Sequence, residues 1–535
     1  MNNQQNNGAF FDIGKYFSKA SLKKDLPSSI VVFLVALPLC LGIALASGAP
    51  LFAGVLTGII GGIVVSAISG SQLSVSGPAA GLTVIVFGAI ASLGSYETFL
   101  LAVVLAGILQ IILGILKAGI IANYFPSSVI EGMLAAIGVI LILKQLPHAL
   151  GIDSDFEGDE SFFQADHENT FSAIYAAFNM LSYGAIIISV LSLLIMIFWP
   201  KIRQLAAVPA PVIVVASGVI FGILFQNTGL ALRPEQLVTI PVVNSFDQFL
   251  DLFSYPDFTQ ISNQQVWTVA FTLAIVASIE TLLSIEAVDK IDPMKRVSPT
   301  NRELVAQGFG NMASGMLGGL PMTSVIVRSS VNVNSGGKTK MSAIYHGFWL
   351  LLSVLFIPII LNKIPLACLA AILLITGYKL ARFDLFRKMW QSGKDQFIPF
   401  VVTVLAIVFT DLLKGVAIGM LVGVFYILRT NLRNPYFYKF EQSGGKEIIR
   451  IKLAQEVSFL NKAAIQYTLS NLPSESHVII DGTDSMFIDR DVLEIIHNFR
   501  HNAFSKGTVV EILNVKEQYD VPGLKELIYK PTKIS

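Results

Sequence analysis

From about Pro27 to Leu432 the chain is a succession of apolar runs, most of them long enough to cross a lipid bilayer. A spanning helix needs roughly 20 apolar residues. About fourteen segments can be marked, some short or broken. The first seven lie near 27–48, 52–69, 78–93, 98–117, 127–146, 183–199 and 208–226. The second seven lie near 264–286, 302–319, 321–334, 341–361, 364–378, 396–410 and 412–430. The chain is only 14% charged, against about 25% in a soluble domain, so most of its 535 residues belong in lipid. A formal net charge of +1 argues against nucleic acid as a partner. Cys40 and Cys368 both sit in apolar runs and read as packing residues rather than a disulfide or metal pair.

Charge placement orients the runs. Residues 1–25 carry Lys15, Lys19, Lys23 and Lys24, which favours a cytoplasmic N-terminus. The apolar run that follows is too long for a signal sequence and is expected to stay. Loop 147–182 falls outside; it holds Asp153, Asp155, Glu157, Asp159, Glu160, Asp166 and Glu168 with no Lys or Arg. Loops expected inside hold Lys201 and Arg203, then Lys290, Lys295, Arg296 and Arg302, then Lys338 and Lys340, then Lys379, Arg382, Arg387 and Lys388. Lys363 is a minor exception to the alternation. Residues 26–226 form one membrane repeat and 264–433 a second, joined outside by 227–263. Seven spans per repeat is odd, so the second repeat inserts inverted, the plan of many secondary transporters. Residues 440–535 alternate apolar and polar. Ile448–Leu453, His477–Asp481 and Thr508–Leu513 read as strands and Asp491–Arg500 as an amphipathic helix. This is a cytoplasmic α/β domain, because an even number of spans returns the chain inside.

Two stretches punctuate the apolar pattern. Ser76-Gly77-Pro78-Ala79-Ala80-Gly81 and Gly318-Gly319-Leu320-Pro321-Met322-Thr323-Ser324 open the third and tenth segments, both short. Matched Gly and Pro in two halves point to broken helices whose N-termini face one site. Such termini carry unpaired N–H groups and partial positive charge, which suit an anion. Pro78 and Pro321 are expected at N1, where a missing N–H costs nothing. Thr323 and Ser324 then fall in the first helical turn, as donors to an anion or as simple caps. Ala79 and Ala80 bring no polar group but let a substrate reach the backbone; close helix packing explains them nearly as well. Pro38 interrupts the first segment, where it frees a carbonyl.

Two charges lie within the spans. Glu280 sits mid-segment, where an acid costs about 2.5–3.5 kcal/mol on insertion scales. Ser284 is one turn later on the same face. The pair suits Na⁺, and Glu280 alone suits a proton; the bland alternative is a structural hydrogen bond. Arg328, two turns beyond Pro321, adds positive potential behind an anion, pairs with Glu280 in the empty state, or snorkels to the inner surface. No nucleophile–base pair or metal cluster marks an enzyme, and His148, His167 and His346 are isolated.

Together these residues resemble the SulP anion-permease family, the relatives of solute carrier family 26. The resemblance is carried by Val35-Ala36-Leu37-Pro38, Ser76-Gly77-Pro78-Ala79, Asn301-Arg302-Glu303-Leu304, Gln307-Gly308-Phe309-Gly310-Asn311, Gly318-Gly319-Leu320-Pro321, Arg328 and Ser335-Gly336-Gly337-Lys338-Thr339. The tail is similar to the family's STAS domain, most clearly in Val478-Ile479-Ile480-Asp481-Gly482-Thr483-Asp484. The resemblance implies a seven-plus-seven inverted fold, a core moving against a gate, and homodimers. It places the anion among Leu39, Ile43, Ala79, Ala80, Thr323, Ser324 and Val325, with Arg328 nearby. Bicarbonate-type bacterial members are the nearest in pattern, and their Na⁺ site maps to Glu280 and Ser284. Glu280 replaces that subgroup's Asp and Ile326 its hydroxyl residue, so proton coupling stays open. Arg490-Asp491 replaces the serine pair of phosphorylated STAS loops.

The reading is a plasma (inner) membrane carrier taking in a small inorganic anion, bicarbonate foremost, coupled to Na⁺ or H⁺, with both chain termini cytoplasmic. No cofactor is expected beyond a coupling Na⁺. Sulfate and C4-dicarboxylate are the alternative substrates. A passive anion channel and a membrane sensor are the alternative functions.

Overall fold

The computed structural model describes residues 19–152, 162, 169–179, 181–202, 208–239, 246–432, 436–443, 446–473, 476–503 and 507–516. Lys15, the acids from Asp153 to Glu168, His167 and Arg203 lie outside the described residues. The chain divides into two compact units, Met1–Met420 and Leu421–Ser535.

A helix occupies each of the fourteen places marked by the apolar runs. In the first half these are α1 (Lys19–Ala46), α2 (Leu51–Ile60, continued to Ile68 through a π turn), α3 (Thr83–Leu93), α4 (Tyr96–Ile115), α5 (Ser127–Leu150), α6 (Tyr183–Phe198) and α7 (Ala210–Phe225). In the second half they are α8 (Gln264–Ile291), α9 (Thr300–Leu317), α10 (Ile326–Asn334), α11 (Met341–Phe356), α12 (Leu366–Leu380), α13 (Lys394–Phe409) and α14 (Leu412–Leu432). Among the described residues, eight helices are long and apolar enough to cross a membrane, and Ala80–Leu93, Ala210–Phe225 and Met341–Phe356 are shorter apolar helices. The short helices Thr170–Asn179 and Phe383–Gln391 lie where only loops were expected.

The helices pack in two groups. In one, α4 lies against α8 and α9, while α11 lies against α1 and the π turn of α2. In the other, α12 lies against α5 and α6, with α13 on α5 and α7 on α6. Glycines set two of the closest crossings. A Cβ on Gly107 would stand 2.6 Å from the Gly308 carbonyl oxygen, and one on Gly62 would stand 2.6 Å from the Gly347 Cα. Small residues let helix backbones approach, and dispersion contacts then hold the pair without help from water. Cys40 and Cys368 are buried free thiols.

The second unit carries a four-stranded sheet in the order β3 (Tyr436–Ser443), β4 (Lys446–Leu453), β6 (His477–Asp481), β8 (Val509–Leu513). β3 is antiparallel to β4 and the others are parallel. A small parallel pair joins β5 (Glu456–Val457) to β7 (Phe487–Ile488). Alternation decides the core: Ile449, Ile451 and Leu453, with Val478 and Ile480, face inward. Helices α15 (Lys462–Ser470) and α16 (Arg490–Ala503) cover that face with Ile465, Leu469, Val492 and Ile496. Strand β3 and α15 were not foreseen.

Candidate anion site at a crossed pair of broken helices

Gly and Pro stop helical hydrogen bonding at two places in the first unit. The freed N–H and C=O groups need partners, because an apolar interior offers no water. They find each other. Ser76–Pro78 (β1) and Met322–Ser324 (β2) form a two-stranded antiparallel ribbon, with Ser76 opposite Ser324, Gly77 opposite Thr323 and Pro78 opposite Met322. The Val325 amide extends the ladder to the Val75 carbonyl at 3.0 Å.

Side chains from neighbouring helices complete the joint. Asn311 on α9 acts as a substitute strand: its Oδ1 accepts from the Met322 amide at 2.7 Å and its Nδ2 donates to the Met322 carbonyl at 3.1 Å. The Thr57 hydroxyl accepts from the Leu320 amide at 2.7 Å, and Ser314 donates to the Leu320 carbonyl at 2.6 Å. Gln307 donates to the Ser76 hydroxyl at 2.7 Å. The Ser329 hydroxyl accepts from the Val75 amide at 2.9 Å. Each buried group left bare would cost about 1–3 kcal/mol, so the joint holds only as a set.

The ribbon changes the expected helix starts. Pro78 is a strand residue rather than N1; the chain passes Ala79 into a 3₁₀ turn at Ala80–Leu82 before α3 begins at Thr83. Pro321 precedes β2, and α10 begins at Ile326 after Val325. Thr323 and Ser324 therefore lie in the ribbon and cap nothing. Thr323 donates to the Ser324 carbonyl at 3.2 Å, and the Ser324 and Ser74 hydroxyls are 2.6 Å apart. The physical reason is that two broken ends brought together offer each other a complete ladder, which a lone helix start lacks. Neither start has a side-chain cap.

Two charges flank the joint. Arg328 is the third residue of α10, one turn nearer its start than expected, and has no exposed surface. Its guanidinium lies where a Gly77 Cβ would be, and beside Gly58, against which the Cys40 sulfur also packs. All three guanidinium nitrogens lack a hydrogen-bond partner among the described residues, and the complete burial corrects the surface snorkel. The buried position leaves a snorkel no solvent, and sets the guanidinium close to the Cys40 thiol. The His346 ring, near Arg328, is equally buried. Glu280 lies on the other side of the first arm: a Cβ on Gly81 would stand 3.0 Å from its Oε2. The residue is buried, 5% exposed.

Ser284 is buried one turn on from Glu280, and Thr281 between them accepts from the Ser324 amide at 3.4 Å. Ile43 and Ala79 share one apolar cluster with Ala80 packed against it, while Leu39 belongs to the larger cluster with Ile326. The sequence reading gave no site role to Asn311 and Gln307, quoted only for the resemblance, and did not single out Thr57, Thr281 or Gln110, whose Oε1 accepts from Asn311 at 2.7 Å. Their signal was available: polar side chains within apolar runs are expensive unless paired. Among the described residues no group of three or more His, Cys, Asp or Glu converges as a metal centre.

A polytopic helical protein with a ribbon-joined pair of half-helices and a buried, unpaired guanidinium beside the joint is built as a membrane transporter. Comparison with known proteins gives the family. The Sulfate permease family matches residues 22–403. The "Putative sulfate transporter YvdB" of Bacillus subtilis (strain 168) is 30% identical over 417 residues, covering 78% of this chain and 75% of that protein. The Bicarbonate transporter BicA of a Picosynechococcus strain is 27% identical over 412 residues, covering 75% and 69%. The solved transmembrane domain of a cyanobacterial BicA superposes with a TM-score of 0.52 at 25% identity, covering 76% of this chain and 98% of that one. Murine Solute Carrier 26 family member A9, in the inward-facing state, shares the fold with a TM-score of 0.65 at 15% identity over 94% and 87%. The chain belongs to the sulfate permease family: it is a membrane-embedded anion transporter and not an enzyme.

Proposed function

We propose that the chain is a secondary active carrier that brings bicarbonate into the cell across the inner membrane, driven by Na⁺ or H⁺. The crossed half-helices with Arg328 buried and unpaired beside them carry this reading. A charge held in an apolar interior without a partner is strained until an anion arrives. One guanidinium balances a monovalent anion, which places bicarbonate ahead of sulfate and C4-dicarboxylate. The 30% identical relative keeps sulfate as the second reading.

Glu280, a buried carboxylate with Ser284 one turn on, takes the coupling cation, Na⁺ or a proton. Cation and anion then neutralise the carrier together, and a half-loaded carrier stays costly to move. The moving body is the group holding the ribbon, α1–α4 with α8–α11; the frame is α5–α7 with α12–α14. The packing supports an inverted repeat of fourteen spans: α4 meets α8 and α9 as α11 meets α1 and α2, and α13 meets α5 as α6 meets α12. The glycine crossings obey the same exchange, Gly107–Gly308 for α4–α9 and Gly62–Gly347 for α2–α11. Residues 440–535 serve as a cytoplasmic STAS-type domain that helps form a homodimer.

The test is uptake of labelled bicarbonate, sulfate and succinate by the purified protein in vesicles, with imposed Na⁺ or proton gradients. Concentrative bicarbonate uptake under one gradient is expected, and flux that never exceeds equilibrium would make the protein a channel. Glu280→Gln should abolish the coupling while the protein stays folded; retained coupling would reject its role.

A further inference from the structure

A cavity of about 600 Å³ opens between the two helix groups, away from the ribbon residues. Lys290, at the end of α8, and Lys295, in the turn beyond it, come from one group. Lys379 at the end of α12, Arg382, and Lys388 on helix Phe383–Gln391 come from the other. Against these five cations the lining sets two carboxylates, Glu131 and Asp384, a formal surplus of three.

The two sets of cations are not equally satisfied. Lys290 lies near Glu131 and Glu286 and donates to the Ser127 carbonyl at 3.1 Å. Lys295 donates to the Lys290 carbonyl. Among the described residues, no hydrogen bond or ion pair engages the Lys379, Arg382 or Lys388 head groups. Like charges gathered round one space repel, and a multivalent anion entering that space relieves several repulsions at once.

Size and lining narrow the anion. A bicarbonate or sulfate ion would fill a small part of the cavity and reach only one or two of the five head groups. Pockets for small organic ligands run from roughly 300 to 1,000 Å³. Ile291 and Leu380 add apolar wall beside the charges, which suits an organic group carrying several phosphates. The basic loops place this mouth on the cytoplasmic side.

We propose that the cavity binds an organic polyphosphate, a nucleoside triphosphate in charge and size, and that the bound ligand bridges the two helix groups and slows transport. Binding stands on the cavity alone. The slowing rests on the carrier reading above, since a ligand that grips both groups favours the arrangement in which they face each other this way.

The experiment uses the full chain in nanodiscs and in transport vesicles. The probes are ATP, inorganic tripolyphosphate and orthophosphate, and separately nanodiscs containing a phosphorylated inositol lipid. ATP and tripolyphosphate are expected to bind at least tenfold more tightly than orthophosphate, with affinity falling as KCl rises. Lys379→Gln and Lys388→Gln together should weaken ATP binding at least tenfold, at an unchanged melting temperature. Equal ATP affinity in wild type and double variant would overturn the site. A response confined to the inositol lipid would overturn a soluble ligand. ATP that binds without lowering uptake in protein that transports would reject the bridge. Protein that binds ATP but moves no anion would instead sink the carrier reading and leave the site standing.

Discussion

The two arms of the crossed pair share a plan and differ in chemistry. The first, Ser76-Gly77-Pro78, carries one hydroxyl, on Ser76, and leads through Ala79 and Ala80 into α3, where Val84 is 70% and Phe87 53% exposed. The second, Met322-Thr323-Ser324, carries two hydroxyls and leads into α10, in which every residue from Ile326 to Asn332 is buried. Beyond Ser76, whose hydroxyl accepts from Gln307, the first arm has only backbone to offer a ligand. The second can hold a guanidinium because its helix is enclosed on all sides. Symmetry is kept in the main chain, and the asymmetry that a charged substrate needs is confined to side chains of the enclosed arm.

Arg328→Met should break the comparison most severely. It removes the charge that separates the arms while keeping an unbranched side chain in the space. Apparent anion affinity should fall at least about tenfold, which is about 1.4 kcal/mol. The melting temperature should hold or rise, because an unpaired buried charge is a burden to the fold. Wild-type affinity in that variant would leave the arms functionally equal.

Paired glycine substitutions sharpen it next. Gly77→Ala places a methyl group on the guanidinium and should nearly abolish uptake. Gly81→Ala meets Glu280 Oε2 at 3.0 Å, a tight contact that a flexible carboxylate can yield to. It should raise the half-saturating cation concentration and spare the anion KM. Separate anion and cation titrations read the two effects; identical profiles would refute the division of labour.

A smaller effect is expected from Asn311→Leu, which strips the Met322 amide and carbonyl of their side-chain partner. Destabilisation of about 1–3 kcal/mol follows from bare buried polar groups, measurable as a thermal shift in detergent. Outside the arms, the second unit should show the mildest response, to acid. The Thr483 hydroxyl, with help from Arg450, holds the Asp481 carboxyl below its ordinary 3.8. A depressed carboxylate adds stability above its unfolded value and loses it as pH falls through the folded one. Amide exchange in β6 should therefore quicken below about pH 4, and Asp481→Asn should flatten that slope.

The sequence showed where helices lie because run length is a strong signal; α4, expected at 98–117, is Tyr96–Ile115. The ribbon was hidden for a physical reason. Three extended residues have no periodicity, and Gly77-Pro78 reads equally as a helix start or a strand. Its pairing partner is also more than 240 residues away. Glu280 and Arg328 were legible because charge inside an apolar run is rare. Their relation was not, because Gly77 and Gly81 part them onto different faces of one arm. The clamp of Asn311 and Thr57 needed the fold, since a lone polar residue names no partner.

The ribbon's bonds run from amide to carbonyl and are indifferent to which side chains hang beside them. Residues at the crossing can therefore be exchanged over evolutionary time without unfastening the joint, provided Gly77 and the flanking polar clamps remain. A scaffold of that sort is open to retuning: side chains beside the crossing can change while the backbone joint between the half-helices stays as it is.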